Sequence, residues 1–183
     1  MATLSIVAAL FLQNGTPPVA EAGPVAGAPV GDGTPPDLSQ MSPRERFDRL
    51  FNRIMQASEA GDSATVRQFT PMATAAYGML DQVDDDARYH AAMIRLTGGD
   101  AAGAAALADT ILIGNPQHLL GLVLQAAVAR SANDATRLAT ARRNFLAAVD
   151  RERATGRQEY QDHQVILDRF RDEAQTASGG NPR

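Results

Sequence analysis

The chain has 183 residues, with 17 basic and 21 acidic side chains, a formal charge of -4, and neither cysteine nor tryptophan. This length fits one domain with its own core, and the absence of cysteine excludes disulfides, thiolate nucleophiles, iron–sulfur clusters and Cys-based zinc sites. Mild acidity argues against nucleic acid as a partner, and an alanine-dominated composition with 5% aromatics favours helices over sheet.

The first element is an apolar segment, residues 1–13, with Leu4, Ile6, Val7, Leu10, Phe11 and Leu12. Helical residues 4–12 would reach only about 14 Å, half of a bilayer core. Three readings stay open. The segment is the apolar part of a secretory signal, although no basic side chain precedes it. It is a short anchor that contacts a membrane or a membrane complex. Or it packs on its own domain. Residues 14–41 follow, with six of the 10 prolines between Pro17 and Pro36. They read as an extended linker. No arginine occurs before Arg44, so this stretch holds only Glu21, Asp32 and Asp37.

Residues 42–177 read as a helical domain. Ser42-Pro43-Arg44-Glu45 has the form of a capping box with proline at the first helical position. Phe47, Leu50, Phe51, Ile54 and Met55 then recur at helical spacing. A second helix starts at Asp62 or Ser63, and Thr70-Pro71 should kink it or break it with Thr70 as a new cap. Asp84-Asp85-Asp86 precede a third helix, where carboxylates favour the N-terminal end. Asp100 caps an alanine-packed fourth helix that ends at Gly114-Asn115-Pro116. A fifth helix carries Leu119 to Val128. Asn133-Asp134 makes the next turn, and a sixth helix carries Leu138, Phe145, Leu146 and Val149. After Gly156 a single seventh helix, more polar than the others, should run through Tyr160 and Phe170. Residues 178–183 read as a flexible tail.

The turns Gly61-Asp62, Gly99-Asp100 and Asn133-Asp134 lie 38 and then 34 residues apart. A 34-residue helix–turn–helix period marks tetratricopeptide repeats. The unit Asp85–His118 resembles that family through Gly99-Asp100, Ala104, Leu112 and Asn115-Pro116. The unit from Leu119 is similar but lacks the closing proline, and the unit from Phe47 is four residues too long. The early aromatic and Leu-Gly pair of the family are missing from all three. The resemblance implies an all-α, short α-solenoid of about three hairpins with a C-terminal capping helix. It also implies a concave groove for a partner, lined by Tyr89, Met93, Val123, Ala127 and Arg130. The competing reading places the apolar members of that set in the core.

Charge is uneven along the array. Residues 81–109 hold six aspartates against two arginines, whereas residues 130–157 hold seven arginines against three carboxylates. Arg137, Arg142, Arg143, Arg151 and Arg153 form a candidate basic face for an acidic partner or anionic lipid; otherwise they are a solvated helix surface. His90, His118 and His163 are far apart in sequence, and the carboxylates Glu159 and Asp162 near His163 suit surface pairing. No Ser/His/Asp order, glycine-rich phosphate loop or HExxH pattern appears. No catalytic residue, metal, cofactor or small-molecule substrate is therefore expected. Two functions fit. One is an accessory or scaffold subunit on a larger bacterial membrane assembly, such as an electron-transfer, photosynthetic or biogenesis complex, tethered by the N-terminal tail on the periplasmic side of the cell envelope. The other is a periplasmic assembly factor that holds client peptides transiently in the groove.

Overall fold

The structure, a computed structural model, describes residues 41–179. The apolar N-terminal segment and nearly all of the linker lie outside the described residues, as do residues 180–183. Among the described residues there are eight α-helices and no strand. They are α1 (Pro43–Glu59), α2 (Ser63–Tyr77), α3 (Asp85–Thr97), α4 (Ala101–Gly114), α5 (Leu119–Ser131), α6 (Ala135–Arg153), α7 (Gln158–Asp162) and α8 (Gln164–Gly179). None of them is long and apolar enough to cross a membrane.

Local chemistry sets most boundaries. The Ser42 hydroxyl accepts from the Glu45 amide, and the Glu45 carboxylate accepts from the Ser42 amide at 2.8 Å, which closes the capping box. Three later turns share one design. Gly61, Gly99 and Asn133 all have positive φ, and their amides bond back three residues to Ser58, Leu96 and Arg130. The next residue in each case is an aspartate that serves twice. The Asp62, Asp100 and Asp134 amides reach back five residues, to the carbonyls of Ala57, Arg95 and Ala129, at 2.8 Å each. This is the Schellman pattern that closes a helix. Their carboxylates then accept from the Thr65, Gly103 and Arg137 amides at 3.0, 2.8 and 2.9 Å, which opens the next helix.

At one position the break alternative does not occur, and at another a helix divides where one was expected. Helix α2 runs unbroken through Thr70-Pro71. The Thr70 hydroxyl donates back to the Val66 carbonyl at 2.8 Å instead of capping a new helix. The expected single seventh helix is two, α7 and α8, separated at His163, whose φ of -104° and ψ of 18° leave the helical region. No proline or glycine lies at this break. His163 is instead held by a residue 77 positions earlier, as described below. Helix α8 also extends to Gly179, so Ser178 belongs to it and not to a tail.

Packing is heaviest within the pairs α1/α2, α3/α4 and α5/α6. Helices α2/α3 and α4/α5 join one pair to the next, α1/α3 and α3/α5 link the first helices of successive pairs, and α8 packs on α6 and α5. Helices α3 and α5 lie inside this arrangement. Buried residues of α5 run Leu119 to Leu124 without a gap and continue with Ala126, Ala127 and Ala129. An uninterrupted apolar run of this kind marks a helix covered on every side. Small residues allow the closest contact. Ala104 and Ala108 of α4 are buried, and Gly121 of α5 lies where a Cβ would meet Leu112 at 2.9 Å.

The Gly99 turn provides a clean test of the shared design. Its φ is +89°, and a Cβ there would meet no atom within 4 Å, so only backbone strain opposes a side chain. Gly99→Ala should cost about 1–2 kcal/mol in urea unfolding. Gly99→Asn should cost less, because asparagine tolerates this conformation and already occupies the third turn.

Candidate functional site

The densest polar cluster lies where α1, α3 and the α7–α8 joint meet. Asp86 is in the first turn of α3, and His90 is one turn further on the same face. Asp48 faces them from α1. His163, at the α7–α8 joint, closes the cluster. The His163 Nε2 lies 2.7 Å from Asp86 Oδ1, and the His90 Nε2 lies 3.7 Å from the same oxygen. The other His90 nitrogen, Nδ1, lies 3.2 Å from Asp48 Oδ1. One ligand-type atom from each of Asp86, His90 and His163 stands within 4.8 Å of the other two, so these three could hold a metal ion.

Arg44 organises the carboxylates. Its Nε donates to both Asp48 oxygens at 3.0 and 2.8 Å, its Nη1 donates to both Asp84 oxygens at 3.0 and 2.9 Å, and its Nη2 reaches Asp86 Oδ2. Asp84 is at the same time the cap of α3, accepting from the Ala87 amide at 2.7 Å. Burial works to raise the Asp86 carboxyl, but the bond from His163 and the charges of His90, His163 and Arg44 outweigh it and hold the group below the usual carboxylate range. Asp48 is also lowered: burial opposes ionisation, and the bonds from His90 and Arg44 overcome it.

Aromatic rings form the apolar wall. Phe51 stacks on His90 with centroids 3.8 Å apart and planes 16° apart. Tyr89 meets the His163 edge at 4.8 Å, and the two imidazoles meet edge-on at 5.2 Å. Burial pushes the Tyr89 phenol far above its ordinary value, so it stays neutral.

A second polar cluster underlies α7. His118 is fully buried, with Nε2 3.4 Å from Glu159 Oε1 and 3.8 Å from Asp85 Oδ2. Its Nδ1 has no partner. The Tyr160 hydroxyl accepts from the Leu119 amide at 3.2 Å and donates to the buried Glu152 carboxylate at 2.8 Å. Asn115 donates to the same Glu152 oxygen at 3.0 Å. This network ties the ends of α4, α5 and α6 to α7.

The residues expected to line a groove are placed differently. Tyr89, Met93, Val123 and Ala127 are all buried. The reason is shared packing: each first helix is covered by its own pair and by the next, and the α7–α8 joint closes over Tyr89. Arg130 is half-buried, pairs with Glu173 of α8 and lies 5.7 Å over the Phe170 ring. The expected basic face divides. Arg142 and Arg153 turn to α8, where they meet Glu173 at 2.5 Å and Asp168 at 2.6 Å. Arg171 of α8 returns the pairing to Asp150 at 3.1 Å. Arg137, Arg143 and Arg151 are exposed. Between α1, α2 and α3 a cavity of about 10 Å³, lined in part by Phe47, Ala73, Tyr77 and Ile94, has room for about one water.

The Asp86/His90/His163 cluster was not anticipated from the sequence. The i,i+4 spacing of Asp86 and His90 was the local signal that could have found two of its members. His163 had no local signal, because it arrives from a distant segment.

Burial lowers the His118 imidazole below its ordinary value, and the nearby Asp85 and Glu159 carboxylates offset this only in part, with Arg157 acting in the same direction as burial. The unfolded chain therefore takes up a proton near pH 6.5 that the folded chain refuses until lower pH. Stability from this group is present above about pH 6.5 and is lost as pH falls towards the depressed folded value. Between pH 7 and pH 5 the thermal midpoint of the wild type should fall more than that of His118→Gln, measured by circular dichroism. In comparisons with known proteins, no family model, curated protein or solved structure matches this chain.

Proposed function

We propose that the chain is a non-enzymatic protein-interaction module: a short α-solenoid of the tetratricopeptide kind that serves as an accessory or scaffold subunit of a larger membrane assembly in a bacterial envelope. The observation that carries this reading is the threefold recurrence of one turn, in which a residue of positive φ is followed by an aspartate that closes one helix and caps the next. Pairs of helices joined in this way bury their apolar faces only by stacking, and stacked pairs make extended binding surfaces.

The accessory role is favoured over transient client binding by the burial of Tyr89, Met93, Val123 and Ala127, which leaves those side chains little to offer a peptide. The contact surface is then the outside of the stack. Arg137, Arg143 and Arg151 on α6 supply positive charge for an acidic partner. Exposed Met72, Ile113 and Val165 supply apolar contact points. The apolar N-terminal segment, with Leu4, Ile6, Val7, Leu10, Phe11 and Leu12, holds the subunit at the membrane through the Pro/Gly-rich linker.

Affinity purification of the full chain from solubilised membranes should yield partner subunits in fixed stoichiometry by mass spectrometry. Removing residues 1–36 should release the protein from the membrane fraction. The triple change Arg137→Glu, Arg143→Glu, Arg151→Glu should lose the partner while the helical circular dichroism signal is kept. Recovery of the full chain alone, without any stoichiometric partner, contradicts the proposal.

A further inference from the structure

We propose that Asp86, His90 and His163 bind one divalent transition-metal ion of the zinc class, and that this ion staples the α7–α8 end of the chain to α3. The donor set is two imidazole nitrogens and one carboxylate oxygen. Zinc and its late first-row neighbours favour such ligands, whereas calcium and magnesium take oxygen. The separations fit. Two ligands at zinc bonding distance and tetrahedral angle stand about 3.3 Å apart. Asp86 Oδ1 is 2.7 Å from one imidazole Nε2 and 3.7 Å from the other. Shifts of about half an ångström bring these two to the coordination distance, and the two imidazole nitrogens, which stand within 4.8 Å of each other, close the rest by rotation of the rings towards the ion.

The surroundings independently favour the same ion. A metal-binding histidine usually gives its second ring N–H to a carboxylate, which fixes the tautomer and aims the free nitrogen. His90 has this arrangement: Nδ1 faces Asp48 at 3.2 Å, leaving Nε2 towards Asp86. Arg44 in turn holds Asp48 through both oxygens and takes Asp86 Oδ2, so Oδ1 is the oxygen presented to the imidazoles. Among the described residues, Asp48, Asp84 and Asp86 share the one arginine Arg44, and this excess of two negative charges matches a divalent ion bound by neutral imidazoles. The three side chains are shielded but open to entry, with exposures of 16% for Asp86, 10% for His90 and 11% for His163.

In the absence of an ion, the His163 Nε2–H donates to Asp86. When the ion binds, His163 changes tautomer: Nε2 gives its proton to solvent and Nδ1 takes one up, so the imidazole stays neutral, the Nε2 lone pair coordinates the metal, and water completes a four-coordinate shell. Because Asp86 and His163 are 77 residues apart, the ion binds the folded chain far better than the unfolded one and stabilises it.

The test uses the full chain, stripped with EDTA and titrated separately with zinc chloride and cobalt chloride. Calorimetry should give one ion per chain, and the thermal midpoint should rise with zinc concentration. His90→Gln and His163→Gln should each weaken binding by about 100-fold or more, and Asp48→Asn by about 10–100-fold through loss of the orienting carboxylate. X-ray absorption of the zinc form should show two imidazoles at about 2.0 Å. No one-to-one binding to the wild type overturns the proposal, and so does binding that is unchanged in both histidine variants. Should either variant fail to fold by circular dichroism, the wild-type X-ray absorption decides, and an oxygen-only shell overturns the assignment.

Discussion

Helix α5 is apolar on nearly every side and α3 is buried over most of its circumference, and both must be covered by other parts of the same chain. Buried α3 residues include Ala87, Tyr89, Ala91, Ala92, Met93, Ile94 and Leu96, which leave a stripe with Arg88 and Arg95 partly open. A single partner helix cannot cover such a surface. Helix α4 covers one side of α3, α1 and α2 cover another, and α5 a third. Helix α5 in turn requires α6 and α8. Burial of this kind is the dominant favourable term in folding, and here it dictates which segments must meet. The return of the C-terminal helices onto the stack follows from it.

That return has electrostatic consequences. Bringing α8 to α5 and α6 places Glu173 and Asp168 of α8 against Arg130, Arg142 and Arg153, and Arg171 of α8 against Asp150 of α6. The excess of arginine in residues 130–157 is thus partly an internal complement to α8. The excess of aspartate near α3 is treated likewise. Asp84 caps the helix and meets Arg44, Asp85 pairs with Arg88, and Asp86 accepts from His163. Exposed ion pairs contribute little each, but pairs held among buried rings select one geometry. The cluster of Asp48, Asp86, His90 and His163 is the clearest case, because every member is oriented by another.

Much of the fold was legible in the residues. The Ser42 capping box, the three Gly/Asn–Asp turns and the Asn115-Pro116 stop all act within five residues, so the chemistry that sets them is visible in a short window. The apolar runs of α1 and α5 were legible for the same reason. Less was legible of the site. Tyr89 and Arg130 stood out as interface residue types, but type does not reveal cover: Tyr89 lies beneath His163 and Arg130 against Glu173. Thr70-Pro71 signalled a kink or a break, and the helix continues through it, with the Thr70 hydroxyl on the Val66 carbonyl.

By itself, the sequence determined an all-helical domain, the positions of its turns and the chemistry of each cap, because those depend on backbone conformation and neighbouring hydrogen-bond groups. Only the tertiary structure decided which long side chains point inward, that the last helix breaks at His163, and that three histidines distant in sequence fall into two separate carboxylate clusters. The physical reason is range. A cap is satisfied within a turn, whereas a buried imidazole takes its partners from segments about 40 to 80 residues away, and those meet only once the apolar surfaces of α3 and α5 are covered.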